Sequence, residues 1–547
     1  MRSRVRRAES WAVLALLSVS PLLGAGQRPA PLTDQALAAM KRATKYMVET
    51  VSTNGGYVWS YTPDLSRRWG EMEAYKTMIW VQPPGTTSMG HLFLDAYRAT
   101  GDRYYLDAAD KAARALIWGQ LPAGGWNYVV DFAGDRSLQR WYDTIGKNGW
   151  RLEEFQHYYG NATFDDDVTS DAAKLLLRMY LEELNPVYKP ALDKAIDFVL
   201  QSQYPVGGWP QRYPLKHDFS HHGRPDYSSF ITFNDDVVWE NVDFLIQCYV
   251  TLGEQRLLDP IRRGMHVYLA TQQARPQAGW GQQYTLDLTP SGARTYEPAA
   301  LLPGYTAAHV RILQRFYRLT GDRKFLDAIP PALDWLERCR LPDAMTDGGR
   351  YTHPTFVEIG TNTPLFVHRT GSNVVNGRYF ADHDDSRLLE HYGGKTRIDV
   401  AALRAEYEAL AAMKPEEATA GSPLIPGPFT GEGTPQKAFD IRGQTLMASG
   451  LNNERRPVPA DAQVKQVIAA LDRQERWLQT HVSISHPYTR DGAPEVPPGA
   501  AKYASADVGD ETDTSPFRDD SEREYVSTGL YIRNMSILID YVKANRK

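Results

Sequence analysis

Only two cysteines, Cys248 and Cys339, occur in 547 residues. No disulfide framework can be built from them, and a chain this long buries enough core to fold without one. Cys248 lies in an apolar helical stretch and reads as a buried thiol, although an oxidising compartment would permit a pair with Cys339. Basic excess is also missing. The formal net charge is −5 and there is no lysine- or arginine-rich stripe, which argues against a nucleic-acid partner. Beyond the first 26 residues no run is long and apolar enough to span a membrane. Those 26 residues combine Arg2, Arg4, Arg6 and Arg7 with WAVLALLSVSPLLGAG, the pattern of an export signal, so the mature chain is expected to be secreted or periplasmic. No HExxH helix, GxSxG elbow, Walker A loop or EF-hand is present, which removes the commonest zinc, serine-nucleophile, nucleotide and calcium-loop signatures.

What the chain does contain is an internal repeat. Gly-Gly or Gly-Trp signals recur at Gly55-Gly56, Gly124-Gly125-Trp126, Gly207-Gly208-Trp209, Gly279-Trp280 and Gly348-Gly349, mostly roughly seventy residues apart. Two helical patterns precede each later signal. In two of the pairs the turn is TGDR, with Gly101 and Gly321 as C-caps. A third pair runs from Val168 to Gln203 and a fourth from Val237 to Gln273. Further helices are expected at 33–51, 396–413, 462–481 and 526–545. Antiparallel helix pairs of this kind bury their apolar faces on their neighbours, either as an open solenoid or as a closed ring. The expected fold is an all-α (α/α) toroid of six or seven pairs, with little β structure and with the glycine-tryptophan loops gathered at one end. The expected divisions are residues 27–159 as N-terminal hairpins, 160–385 as the catalytic core and 386–547 as helices completing the toroid. Pro-, Gly- and acid-rich stretches at 414–440 and 484–520 read as surface loops.

The chemistry-bearing blocks fall in the central third. They are TFDDDVTSD with Asp165, Asp166 and Asp167; GGWPQRYP with Trp209 and Gln211; ITFNDD with Asp235 and Asp236; GWGQQYTLDLTPSGARTYEP with Arg294 and Glu297; and FVEIGTNTPLF, followed by Arg378. Each acidic triplet opens a helix, so by itself it fits capping and the helix dipole as well as ion binding. Arg294 and Glu297 alone fit a salt bridge on a turn. His217, His221 and His222 in HDFSHHG match no established metal-ligand spacing and fit a polar insertion better.

Taken in order, these blocks resemble polysaccharide lyase family 10, the pectate lyases with an (α/α) toroid, over roughly residues 160–385. GGWPQ together with ITFNDD carries most of the specificity. The resemblance implies cleavage of polygalacturonate by β-elimination, with Arg294 as the base that removes the C5 proton and calcium as cofactor. It implies Asp166, Asp235 and Asp236 as cation ligands. The implied substrate contacts are Asp165, Asp167, Trp209, Gln211, Glu297 and Arg378. The chain departs from the pattern at Thr295 and in the longer LKHDFSHHGRPDYSS insertion. The partner is then an acidic polysaccharide, acted on by a monomer. Two other readings use the same residues. One is a glycoside hydrolase on the same architecture, with Asp166 and Asp236 flanking the bond. The other is a pectin-binding relative without turnover.

Overall fold

A computed structural model describes residues 31–146, 160–216, 226–294, 296–370, 378–388, 393–420, 422–425, 457–484, 517–518 and 522–546. The export signal, the three clustered histidines and Thr295 lie outside these residues.

The fold is an α/α toroid. Its inner helices, in spatial order, are α12 (Thr528–Asn545), α2 (Thr86–Thr100), α4 (Val168–Glu183), α6 (Val237–Leu252) and α8 (Pro303–Thr320), each outside α12 followed by an outer antiparallel partner. Those partners are α3 (Arg103–Gly119), α5 (Lys189–Ser202), α7 (Leu258–Thr271) and α9 (Ile329–Arg338). Gly101 and Gly321 adopt left-handed conformations at the TGDR turns, as the sequence predicts, and Gly253 does the same at the α6–α7 turn. The fifth inner helix, α12, takes its outer partner from the other end of the chain: α1 (Leu32–Tyr46) packs on it, and Ser60 and Tyr61 pair with Ser527 and Val526. The two ends of the toroid's chain are thus joined by a hairpin with no covalent turn. Among the described residues there are five hairpins, fewer than the expected six or seven, plus α10 (Val400–Ala412) and α11 (Asp461–Ala469).

One device recurs at the ends of the outer helices α3, α5 and α7. Trp126, Trp209 and Trp280 are fully buried, and each donates its indole N–H back to the preceding outer helix, to Leu116, Val199 and Tyr268 carbonyls at 2.7, 2.8 and 2.8 Å. Gln120, Gln203 and Gln272 each bridge their own loop to the next outer helix: Gln203 Nε2 reaches the carbonyls of Gly207 at 3.0 Å and Pro260 at 2.9 Å. This close approach explains the first glycine of the signal. Gly207 has φ +109°, and a Cβ there would sit 2.0 Å from the Arg263 carbonyl oxygen.

Gly348-Gly349 is no member of this set. Both lie in an open turn where an added Cβ would meet nothing within 4 Å. The fourth tryptophan of the device is Trp477, whose indole donates to Val467 O at 2.9 Å. The helix expected over 462–481 therefore ends at Ala469, where Asp472 accepts from the backbone of Gln474 and Arg476 and turns the chain. Cys248 and Cys339 are both buried and free.

Candidate active site

Short strand pairs carry the site residues to one end of the toroid. Ala162–Thr163 pairs with Arg212–Tyr213, and Ile231–Thr232 pairs with Gln283–Tyr284. Each pair leads directly into one acidic triplet. In TFDDD, Asp166 and Asp167 have φ +49° and +60°; in TFNDD, Asp235 and Asp236 have φ +50° and +58°. Two successive left-handed residues are costly for any L-amino acid and are best tolerated by Asp and Asn. Their occurrence at matching places shows that the triplets are copies of one turn, with Asp165 equivalent to Asn234, Asp166 to Asp235 and Asp167 to Asp236. Backbone strain of this kind persists where the surroundings over-determine it, typically at functional sites.

The two turns abut. Asp165, Asp166 and Asp235 each offer a carboxylate oxygen within 4.8 Å of the others. Asp165 is fully buried and the other two are partly exposed. Of the expected cation set of Asp166, Asp235 and Asp236, the first two lie in this group, and Asp165 stands with them in place of Asp236. The third residues of the two turns, Asp167 and Asp236, lie close enough to feel each other's charge, and Asp167 also feels that of Glu240. The Asp167 carboxyl is pushed well up by burial, then by the charges of Glu240 and Asp236. Asp235 is likewise raised, by burial first and then by Asp165 and Asp166, with Arg294 opposing. Carboxylates this close favour the protonated form unless a cation joins them.

Arg294 is completely buried against this cluster. Its Nη2 lies 2.9 Å from both oxygens of Asp165 and 3.5 Å from Asp235 Oδ2. Its Nη1 donates to Glu297 Oε1 at 2.8 Å, and its backbone N–H to Glu297 Oε2 at 2.9 Å. Asn234 Nδ2 also donates to Glu297 Oε1, at 3.2 Å, and the Tyr305 hydroxyl donates to Asn234 Oδ1. Gln211 Nε2 donates to Asp165 Oδ1 at 2.8 Å, and the Tyr128 hydroxyl donates to Oδ2. Gln82 Nε2 holds Asp166 Oδ2 at 2.6 Å. The arginine turn is backed by a small separate core of Tyr296, Leu302, Phe356, Leu365 and Val367, to which the strand Pro364–Thr370 contributes.

Burial revises several expected roles. Trp209 is fully buried with its indole N–H committed to Val199, so it anchors a loop and offers no face to a sugar. Glu297 is fully buried and holds Arg294 through the arginine's Nη1 and backbone N–H, which gives it a positioning role. Gln211 and Asp165 are also fully buried; they brace the arginine from beneath the cleft. Arg378 lies on the strand Arg378–Asp382, paired with Thr370, and its side chain is outside the described residues. Tyr128, Gln82 and Tyr305 were not singled out by sequence reasoning, and Asn234 was read only as part of a triplet that opens a helix. A usable signal existed for one of them: Tyr128 follows Trp126 by two, as Gln211 follows Trp209.

Behind the NDD turn, His309 is caged by Phe233, Tyr268 and Trp280, with ring centroids at 4.9, 4.8 and 5.2 Å. Its Nδ1 has no hydrogen-bond partner, and burial lowers its pKa to about 3. The unfolded chain binds a proton here below about pH 6.5, whereas the native state resists until about 3. Stability from this group is therefore full above pH 6.5 and falls as pH drops, by about 1.4 kcal/mol per unit. Denaturant unfolding at pH 7 and pH 5 should differ by about 2 kcal/mol more in the wild type than in His309→Phe.

With this geometry in place, residues 136–380 match the family described as pectic acid lyase. That is the family whose sequence blocks this stretch resembles. No curated protein matches the chain. Among solved structures, the chain is similar to a point mutant of a family 10 polysaccharide lyase from Cellvibrio cellulosa in complex with trigalacturonic acid. The identity is 17% and the TM-score 0.39, over 60% of this chain and 98% of that one. A sugar epimerase from a ruminal bacterium is similar at 10% identity and TM-score 0.37, over 57% and 73%. An α-1,6-mannanase from Salegentibacter sp. is similar at 13% and 0.32, over 57% and 71%. No described helix is long and apolar enough to cross a membrane.

Proposed function

We propose that the protein is a secreted pectate lyase that cleaves polygalacturonate by calcium-assisted β-elimination. The observation that carries this reading is an arginine buried against a three-carboxylate cluster, in a segment that matches the pectic acid lyase family. The donor set suits a hard divalent cation: all three ligand groups are carboxylates, and buried Asp235 Oδ2 has no hydrogen-bond donor. Asp165, Asp166 and Asp235 would hold calcium. When bound, calcium supplies positive charge beside the uronate carboxylate and so acidifies the C5 proton.

The chain's own residues supply the rest. Arg294 takes the C5 proton; the C5–H electron pair forms the C4–C5 double bond as the C4–O glycosidic bond breaks, and the leaving oxygen is protonated from solvent. No water is added across the bond. Arginine is an exceptionally weak acid, so it accepts a proton only where its charged form loses support. Two carboxylate partners support that charged form here, which requires the cluster to be occupied before Arg294 can act and favours alkaline pH. Glu297 fixes the far side of the guanidinium, and Gln211 and Tyr128 fix Asp165. The N-terminal basic and apolar run supports export.

The test follows ultraviolet absorbance of purified protein with polygalacturonate at mildly alkaline pH. Absorbance should rise with calcium and stop with chelator. Reducing sugar released without absorbance would move the protein to the hydrolases, and binding without either signal would make it a pectin-binding relative.

A further inference from the structure

Asp165 has no spare acceptor. Its Oδ1 takes hydrogen bonds from Gln211 Nε2 and Arg294 Nη2, and its Oδ2 takes them from the Tyr128 hydroxyl and the same Nη2. A carboxylate has about four lone-pair sites, and here all are used. A cation that joins Asp165 to Asp166 and Asp235 must therefore displace one of these donors. Tyr128 and Gln211 are neutral. Arg294 carries the same sign of charge as the incoming ion, and it also reaches Asp235, the second ligand of the set. Like charges at such short range repel strongly in a buried site. The other end of the guanidinium stays anchored, because Glu297 lies outside the cluster and holds both Nη1 and the backbone N–H of Arg294.

We propose that Arg294 is the resident counter-ion of the carboxylate cluster, and that a divalent cation binding there displaces its Nη2 edge from Asp165 and Asp235 while Nη1 remains on Glu297. Cation and guanidinium then compete for the same oxygens. The cation-free protein is held together by Arg294, and cation entry frees the edge that faces Asp165. Calcium as the ion rests on the pectate-lyase reading; the competition itself does not require turnover.

The experiment is calorimetric titration of the full chain with calcium chloride at pH 8, with no polymer present. R294Q should bind calcium about tenfold tighter than wild type or more, because one positive charge has left the cluster, while R294K should stay within about threefold of wild type. Equal or weaker binding by R294Q overturns the proposal. R294Q leaves carboxylates buried without their cation, so thermal scans in chelator and in calcium accompany the titration. Calcium should raise its midpoint by more than it raises that of wild type, and an equal or smaller gain counts against competition. Hydrogen exchange on the wild type decides the matter without any substitution. Calcium should protect the turns at 163–168 and 232–237 and leave exchange in the peptide spanning Arg294–Glu297 unchanged, because its bonds to Glu297 persist; protection of all three would overturn displacement. Calcium binding as expected with no unsaturated product would leave this inference standing and sink the lyase reading. Calcium-dependent product with no competition would do the reverse.

Discussion

Arg294→Ala should lower the elimination rate by about three orders of magnitude or more, with the loss in kcat and little change in KM. Removing a positioned acid–base group typically costs 10²–10⁴-fold. Because the side chain is fully buried in the cation-free protein, it adds little to ground-state binding, and an interaction realised only in the transition state appears in kcat. Lysine at this position should rescue poorly. One ammonium cannot span Glu297 on one side and both oxygens of Asp165 on the other, as the planar guanidinium does. The assay compares absorbance rates of wild type, Arg294→Ala and Arg294→Lys at saturating polymer and calcium, with circular dichroism confirming the fold. An alanine variant that retains a tenth of the wild-type kcat would remove Arg294 from the chemistry. The same substitution is expected to tighten calcium binding, so a protein that holds calcium better and turns over worse separates loss of the base from loss of the cofactor.

The sequence announces the hairpins because each is local. Helical periodicity, a TGDR turn with a glycine C-cap and a Gly-Gly-Trp stop all lie within one repeat of the chain. It does not announce that α12 and α1 form a hairpin, since no turn joins them and only the pairing of Ser60–Tyr61 with Val526–Ser527 brings them together. Gly348-Gly349 misled for a related reason: two glycines mark any open turn, and the buried tryptophan that defines the device is absent there. At the site, the blocks carrying Arg294, Asp165, Asp166 and Asp235 were legible as blocks. Which carboxylates converge was not. That depends on two consecutive left-handed residues in each triplet, which decide by a single step whether Asp235 or Asp236 joins the cluster. Trp209 looked like a sugar platform because tryptophan suits one; its burial follows from the indole reaching Val199 on the preceding helix. Tyr128 and Gln82 come from neighbouring repeats and hold Asp165 and Asp166 across 37 and 84 residues of chain.

Lys174→Met should destabilise the protein by about 3–5 kcal/mol near neutral pH, the usual cost of breaking a buried ion pair by removing one partner. Lys174 lies on α4 with 2% of its side chain exposed and contacts Glu240, while its Nζ is 2.8 Å from Asp243 Oδ2; those two side chains are 3% and 1% exposed. Without the ammonium, two carboxylates on one face of α6 are left buried, with Ser170 and Gln247 as donors and Arg315 at 4.0 Å from Asp243. The Glu240 pKa is raised by burial even with Lys174 opposing that shift. A carboxyl whose folded pKa is raised holds its proton more tightly in the native state, so its charged form weakens the fold as pH climbs through that pKa. The penalty for Lys174→Met should therefore shrink as pH falls and Glu240 protonates. Chemical denaturation of wild type and variant at pH 5 and pH 8 reads the difference; a penalty that grows toward acid would contradict the assignment. Replacing the whole rung, with Lys174→Met, Glu240→Leu and Asp243→Leu together, should recover part of that loss, because three apolar side chains carry no desolvation cost while Arg315 and Gln247 lose Asp243. That recovery would not extend to the site. Asp167 sits above this rung, where Glu240 raises its carboxyl and Lys174 lowers it. Removing both charges leaves the turn that carries Asp166 over an uncharged floor. A triple variant that recovers stability but is altered in calcium affinity would assign the rung to tuning the acidic turns, whereas unchanged affinity would leave it a purely structural layer between the inner helices.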